Sequence, residues 1–328
     1  MENITAAKLF KATKAFFVVR ALVYLVITAI MLVVGILGGL LCIWLFTRNP
    51  VAGYITLIFI FGGLFAFLRF AKRYVLYMIK AAHIAAITEY IKTGQAPVVE
   101  NGYKGVLAYG TETIKNNFGA ANVAFAADVL ISGATRQIMR WVNKIGNLFS
   151  WIPGGKTIMQ IVEFVLSTAL NFIDEAVLSY LFYNKDKEGN AFKKACDGLV
   201  YYAQSWKGML KGALKVGAFV WVVRVSAYGL FMLVFSLIGG AIFSSGGGTI
   251  LALILAWVIL YGIEGVLVSP YATCIMINDY HKAIAGQPLK ADLHGTLCKV
   301  SKKFRDLFNK SEQPEPEVPA ELAASLNL

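Results

Sequence analysis

Long apolar runs, broken by short polar stretches, set the pattern of this chain. From Ala21 to Phe46 there are 26 consecutive residues without a charge, and a helix needs about 20 mostly apolar residues to cross a bilayer. Runs of this kind predict four long helices, over residues 16–46, 54–91, 210–243 and 249–285. The first two are separated by TRNPVAG and the last two by SSGGG, both rich in turn formers.

Between these pairs the pattern becomes amphipathic. Residues 121–149 and 158–183 are helical by rhythm, with Ile131, Ile138, Trp141, Val142 and Ile145 on one face and polar residues mostly opposite. Charges are frequent there: Asp128, Arg136, Arg140 and Lys144, then Glu163, Asp174 and Glu175. With WIPGGK as the turn the segment predicts a helical hairpin, and folding it about residue 153 brings Arg140 near Glu163 as an intramembrane ion pair. So many charges exclude lipid exposure. The hairpin either packs inside the four helices or lies at the cytoplasmic interface.

After the hairpin, YNKDKEGNAFKK is a polar connection, and Asn190 is placed to cap an amphipathic helix bearing Phe192, Cys196, Leu199 and Tyr202. Beyond Phe308 the alternating Glu and Pro predict a disordered tail. The expected organisation is a first two-span repeat with a basic exit over 1–115, the hairpin over 116–183, the connection and a second two-span repeat over 184–308, and the tail over 309–328.

The word repeat rests on two echoes. EYIKTGQAP, from Glu89, returns as DYHKAIAGQP, from Asp279, and VVRALVY, from Val18, returns as VVRVSAY, from Val222. The arginines lie 204 positions apart and the Gly-Gln pairs 192, as a shorter second copy would give. The expected fold is therefore an all-α integral membrane protein with two parallel two-helix repeats, related by an axis along the membrane normal.

Composition supports the membrane assignment: 58% of the 328 residues are apolar, 15% charged, and the mean hydropathy is +0.63. Lys8, Lys11 and Lys14 precede the first run as they would in a signal peptide. The run is too long for one, and no cleavage site followed by a polar domain appears. The formal charge of +12 collects at helix ends, and the turns inside the pairs carry only Arg48. The positive-inside rule then places both termini in the cytoplasm, in a plasma or bacterial inner membrane. Lys72, Arg73, Lys80, Lys299, Lys302, Lys303 and Arg305 are expected to face anionic lipid headgroups, which accounts for the charge without nucleic acid.

Candidate chemistry is sparse. Cys42, Cys196, Cys274 and Cys298 are scattered, so neither disulfide, metal nor cofactor is expected. Without a nucleophile elbow or a phosphate-cradling glycine motif, no enzyme is expected either. Glu264 is the one acid in an otherwise uninterrupted span and should face protein or water. Trp257, Tyr261 and Tyr271 lie seven, three and seven residues from it, on about the same helical face, and an acid with aromatic walls suits a quaternary ammonium. The competing reading is a structural ion pair with Arg224. Pro270 frees carbonyls, as a binding site or as an ordinary kink. Asp174 and Glu175 are adjacent and point in different directions, so at most one is expected to face a partner, and at least one to cap a helix or meet lysines. His83, near the cytoplasmic end, reads as a snorkelling or packed residue and not as a ligand.

FAKRYVLYMIKAAHIAAI, FYNKDKEGNAFKKACDGLVYYAQSWKGML and INDYHKAIAGQPL together resemble the choline-transporter-like family over about half the chain. The likeness lies in a basic helix before the central region, an Asn-Ala-containing connection, an amphipathic Ala-rich helix and a final pair of spans. It implies transport of a choline-like solute. DEAVLSY and YAQSWK also resemble stretches of uncharacterised bacterial polytopic proteins, which imply no activity. The leading expectation is transport of a small cationic or headgroup-bearing solute at Glu264, in a homo-oligomer because four helices make a thin wall. A non-transporting scaffold or lipid-binding regulator is the alternative, and an oligomeric ion channel the third reading.

Overall fold

The computed structural model describes residues 4–118, 121–146, 172–242 and 246–312. Among them every regular element is helical. Helix α1 (Ala6–Ala12) starts at Thr5, whose side chain accepts from the Lys8 amide, and α2 (Lys14–Arg48) follows. Asn49 alone makes the turn into α3 (Pro50–Ala71): its Oδ1 accepts from the amides of Val51 and Ala52, and Pro50 starts the helix with φ already set. Gly53 packs against the Phe46 ring, where a Cβ would lie 2.6 Å from a ring carbon. The tight turn needs a residue without one.

A π-helical turn (Lys72–Leu76) joins α3 to α4 (Tyr77–Thr93). Then come α5 (Tyr103–Phe118), α6 (Ala121–Gly146), α7 (Ile173–Tyr183), α8 (Ala191–Ile242) and α9 (Gly246–Ile263). A second π-helical turn (Glu264–Val268) leads into α10 (Ser269–Ile284), and α11 (Asp292–Val300) and α12 (Lys302–Ser311) close the described chain. Helices α4 and α10 both stop at a glycine of positive φ, Gly94 (79°) and Gly286 (72°), the left-handed end that glycine takes without a Cβ penalty.

Four helical stretches are long and apolar enough to cross a membrane: Lys14–Arg48, Pro50–Ala71, Lys211–Phe231 and Leu255–Ile284. The chain divides into two compact units. One comprises Met1–Phe16, Met78–Ala218 and Tyr271–Leu328, the other Phe17–Tyr77 and Phe219–Pro270. The second unit is two helical hairpins around a small core of Ile27, Met31, Leu64, Leu68, Ala71, Leu76 and Val258. Much of its apolar surface is outside, with Phe59 76% and Ile58 70% exposed. A water-solvated domain rarely carries so large an apolar patch, so bilayer lipid is the fitting solvent.

The first unit is packed differently. Every residue of α4 from 81 to 88 is buried, which makes α4 a central helix enclosed on all faces. Helix α7 lies beside it in the same direction, since Lys80 meets Asp174 and Lys92 meets Asp186 at a constant separation of 94 residues. Gly208 and Gly212 of α8 face Ala283 and Asp279 of α10, so those two helices run antiparallel with backbones in close approach. Helix α12 docks on α6 through Phe304 and Leu307, both fully buried. Gln137 of α6 accepts from the Ser301 hydroxyl (2.7 Å) and the Lys303 amide (3.1 Å).

Two expectations change in detail. Asn190 does cap a helix, accepting from the Lys193 amide at 2.9 Å, but that helix does not end before the span: α8 runs 52 residues without a break, about 78 Å at 1.5 Å per residue. Helix α12 continues past Phe308 to Ser311, while the tail from 313 lies outside the described residues. The hairpin turn and Glu163 lie outside them as well. Arg140 is exposed, and its Nε donates to the Arg136 carbonyl at 3.4 Å.

Candidate functional site

Two clusters of charged side chains lie among the candidate spans and the helices that extend them. In the second unit Glu264 opens the π turn after α9 and is held by Arg224 of α8, which donates from both Nε and Nη2, the latter at 3.1 Å. A two-pronged guanidinium-carboxylate contact is the strong geometry for such a pair. Tyr261 stacks on Trp257 (centroids 6.1 Å apart) and tilts against Tyr24 (5.8 Å). The Lys72 ammonium sits 4.7 Å from the Tyr261 ring centre. Gly265 faces Tyr24 closely enough that a Cβ would collide with the ring. Arg20, 2% exposed, donates to the Ser269 hydroxyl at 2.5 Å.

The aromatic cage expected around Glu264 is thus only partly there. Trp257 and Tyr261 stack, but a lysine of the chain itself lies over Tyr261. Tyr271 belongs to the first unit, where it meets Phe10 edge-on at 5.6 Å. The π turn adds a residue to the local helical turn, which breaks the seven-residue register that aligned Tyr271 with Glu264.

The first unit holds a cluster that charge spacing alone did not reveal. Lys80 of α4 lies 3.4 Å from Asp174 Oδ2 and 3.3 Å from Glu175 Oε1. Ser132 of α6 donates to Asp174 Oδ2 at 2.9 Å, and the Thr273 hydroxyl of α10 donates to Glu175 Oε2. Both acids are buried, Asp174 8% and Glu175 3% exposed. This corrects two expectations. Asp174 and Glu175 both face a partner, because one long lysine side chain reaches between two adjacent carboxylates. Lys80, expected to face lipid headgroups, is turned inward with its side chain 20% exposed.

Two hydroxyl-histidine chains accompany the cluster. The Thr88 hydroxyl donates to the Ile84 carbonyl (2.7 Å), so it must accept from Ser179 (2.7 Å), and Ser179 in turn accepts from His281 Nε2 (2.8 Å). The chain fixes the Nε2–H tautomer of His281. By the same logic the Thr13 hydroxyl donates to Leu9 (2.9 Å) and accepts from His83 Nε2 (3.1 Å). His83 is fully buried, a packed residue.

No family model, curated protein or solved structure matches the chain. What the side chains can do therefore follows from their own chemistry. Glu264 is already neutralised by an arginine. Among the described residues the α4–α7 cluster sets two buried carboxylates against one ammonium, and so favours further positive charge. Farther along α4 a polar cleft of about 440 Å³ is lined by Glu89, Lys92, Tyr109, Glu112 and Asp186. There the Tyr109 hydroxyl donates to Glu89 at 3.1 Å, and Lys92, 2.8 Å from Asp186, holds that carboxyl below its ordinary acidity range.

Of the remaining basic residues, Lys299, Lys302 and Arg305 are exposed. Lys303 is half-buried, its side chain lying along Gly133 of α6. The Arg73 side chain lies outside the described residues. Among the described residues no group of His, Cys, Asp and Glu is arranged to hold a metal ion.

Proposed function

We propose that the protein is a membrane transporter or translocator of a small cationic or headgroup-bearing solute, and that Asp174 and Glu175 are the acids the solute meets. One observation carries this reading: two buried carboxylates share Lys80 among the described residues, and one of them accepts from Thr273 of the fourth candidate span. Ionisable groups at membrane segments are expensive to keep, and they characteristically mark ion and solute pathways. Glu264, bound by Arg224, takes the structural role instead. The solute class is the one implied by the choline-transporter-like resemblance, and a homo-oligomer would complete the wall that four spans leave thin.

The same proposal treats the spans as a duplicated module with both termini cytoplasmic. Its support is positional. The π turns begin at Lys72 and Glu264, and the helices end at Gly94 and Gly286, each pair 192 residues apart, the spacing of the Gly-Gln echo.

The test is flux. Purified protein in proteoliposomes is given labelled choline, ethanolamine and a simple cation against empty vesicles. Saturable uptake, cut at least tenfold in folded Asp174→Asn, is the expected result; no uptake of any solute by folded, inserted protein sinks the proposal. The second reading, a lipid-binding scaffold, is favoured by α12, whose Phe304 and Leu307 are buried while Lys302, Arg305 and Lys310 point outward. Neutralising those three would weaken retention of anionic lipid by about 1 kcal/mol per residue while leaving flux unchanged.

A further inference from the structure

The α4–α7 cluster contains one more acid than its contacts name. Asp128 lies on α6 one turn before Ser132, so the two share a helix stripe, and Ser132 donates to Asp174. Lys80, Asp174 and Glu175 are the charged groups that act on Asp128. Among the described residues that makes three carboxylates against one ammonium, two negative charges in excess.

A second observation shows where the missing charge belongs. Asp174 spends Oδ2 on Lys80 and Ser132, while its Oδ1 is buried and accepts no hydrogen bond. Buried carboxylate oxygens without donors are rare because the lost hydration is not replaced. Asp174 Oδ1 is thus short of a donor, and the cluster is short of positive charge. A proton supplies both, and carboxylates crowded in a desolvated site cannot all ionise.

We infer that the Asp128 carboxyl holds a proton up to about neutral pH and donates its O–H towards Asp174 Oδ1. The proton comes from water, no other bond is made or broken, and the excess negative charge of the cluster falls from two to one. Burial raises the Asp128 pKa, Lys80 opposes the rise and the two acids of α7 add to it, to a value of about 7. The inference rests on the acids of the transport reading, yet it requires no transport.

Infrared spectroscopy of the full chain in lipid bilayers, titrated between about pH 5 and pH 9, tests it. A protonated-carboxyl band that shifts in heavy water should persist at pH 6, vanish with a midpoint of about 7, and be missing from Asp128→Asn. A wild-type band that has gone by about pH 5, where ordinary carboxyls have ionised, overturns the inference, as does an unchanged neutral-pH band in Asp128→Asn. Should Asp128→Asn not fold, Asp174→Asn gives the same decision: loss of the repelling charge should lower the midpoint by about one unit or more, and an unmoved midpoint overturns the proposal. A band without solute flux counts against the transport reading alone. Flux without the band counts against this inference alone.

Discussion

In the second unit the charged groups Glu264, Arg20 and Lys72 each have a partner within the unit. Arg224 takes both oxygens of Glu264, Arg20 takes Ser269, and Lys72 lies over Tyr261. In the first unit one lysine serves Asp174 and Glu175 and acts on Asp128 as well. An acid with its own arginine gains nothing from an incoming cation, whereas a cluster short of positive charge gains a great deal. The unit that looks most like a membrane protein therefore has the more settled electrostatics. The unit packed like a soluble domain keeps the charge imbalance that binding can use.

Lys80→Met breaks the comparison hardest. It leaves buried acids without their cation, and removing one partner of a buried pair typically costs about 3–5 kcal/mol. Thermal unfolding in detergent should register that loss, largest at high pH where the acids must ionise. A change below about 1 kcal/mol would mean that the cluster is neutral in the folded protein, and the contrast between the units would disappear.

Glu264→Gln is next. It strands Arg224 in a span, where an unpaired charge costs about 2.5–3.5 kcal/mol, so a loss of about 2 kcal/mol is expected. Replacing both partners with methionine should recover most of it, because a paired charge and a packed apolar pair are nearly equivalent. A double variant as unstable as the single one would show that Arg224 has work beyond Glu264.

pH sharpens the contrast by sign. Asp128 has its pKa raised by burial, so the stability tied to its proton is present below the unfolded value and is lost as pH rises through about 7. His294, 3.2 Å from Asp197, has its pKa raised by that hydrogen bond, and it too loses its contribution as pH rises. The parts of the stability tied to Asp128 and His294 should therefore fall from pH 5 to pH 8. Asp128→Asn should remove part of that slope and His294→Gln another part, with the two losses additive because the groups share no contact.

Much of this architecture can be read from the residues, and what cannot has physical causes. The four spans follow from uninterrupted apolar runs, and the caps at Asn49 and Asn190 from local side-chain chemistry that acts over two or three residues. The Arg224–Glu264 contact was one of two readings, since a lone acid and a lone arginine on successive helices have few other choices. The α4–α7 cluster had no such signal, because Lys80 and Asp174 are 94 residues apart and only the packing of two parallel helices joins them. Adjacent acids do diverge in direction, yet four methylenes let one ammonium stand between them. The π turns were hidden for a related reason: a single residue of extra winding leaves apolar composition unchanged while it rotates everything beyond it.

The smallest test concerns Lys72. Its ammonium lies over Tyr261, but the side chain is exposed, and an exposed cation-π contact contributes about 0.5–1 kcal/mol. Lys72→Gln should cost no more than that, and Lys72→Arg should cost less, since guanidinium also stacks on aromatic rings. A loss several times larger would mean that Lys72 balances charge across the second unit and is not simply laid on one ring. One-to-one pairing would then fail in that unit, and Glu264 would return as an acid with a share in solute binding.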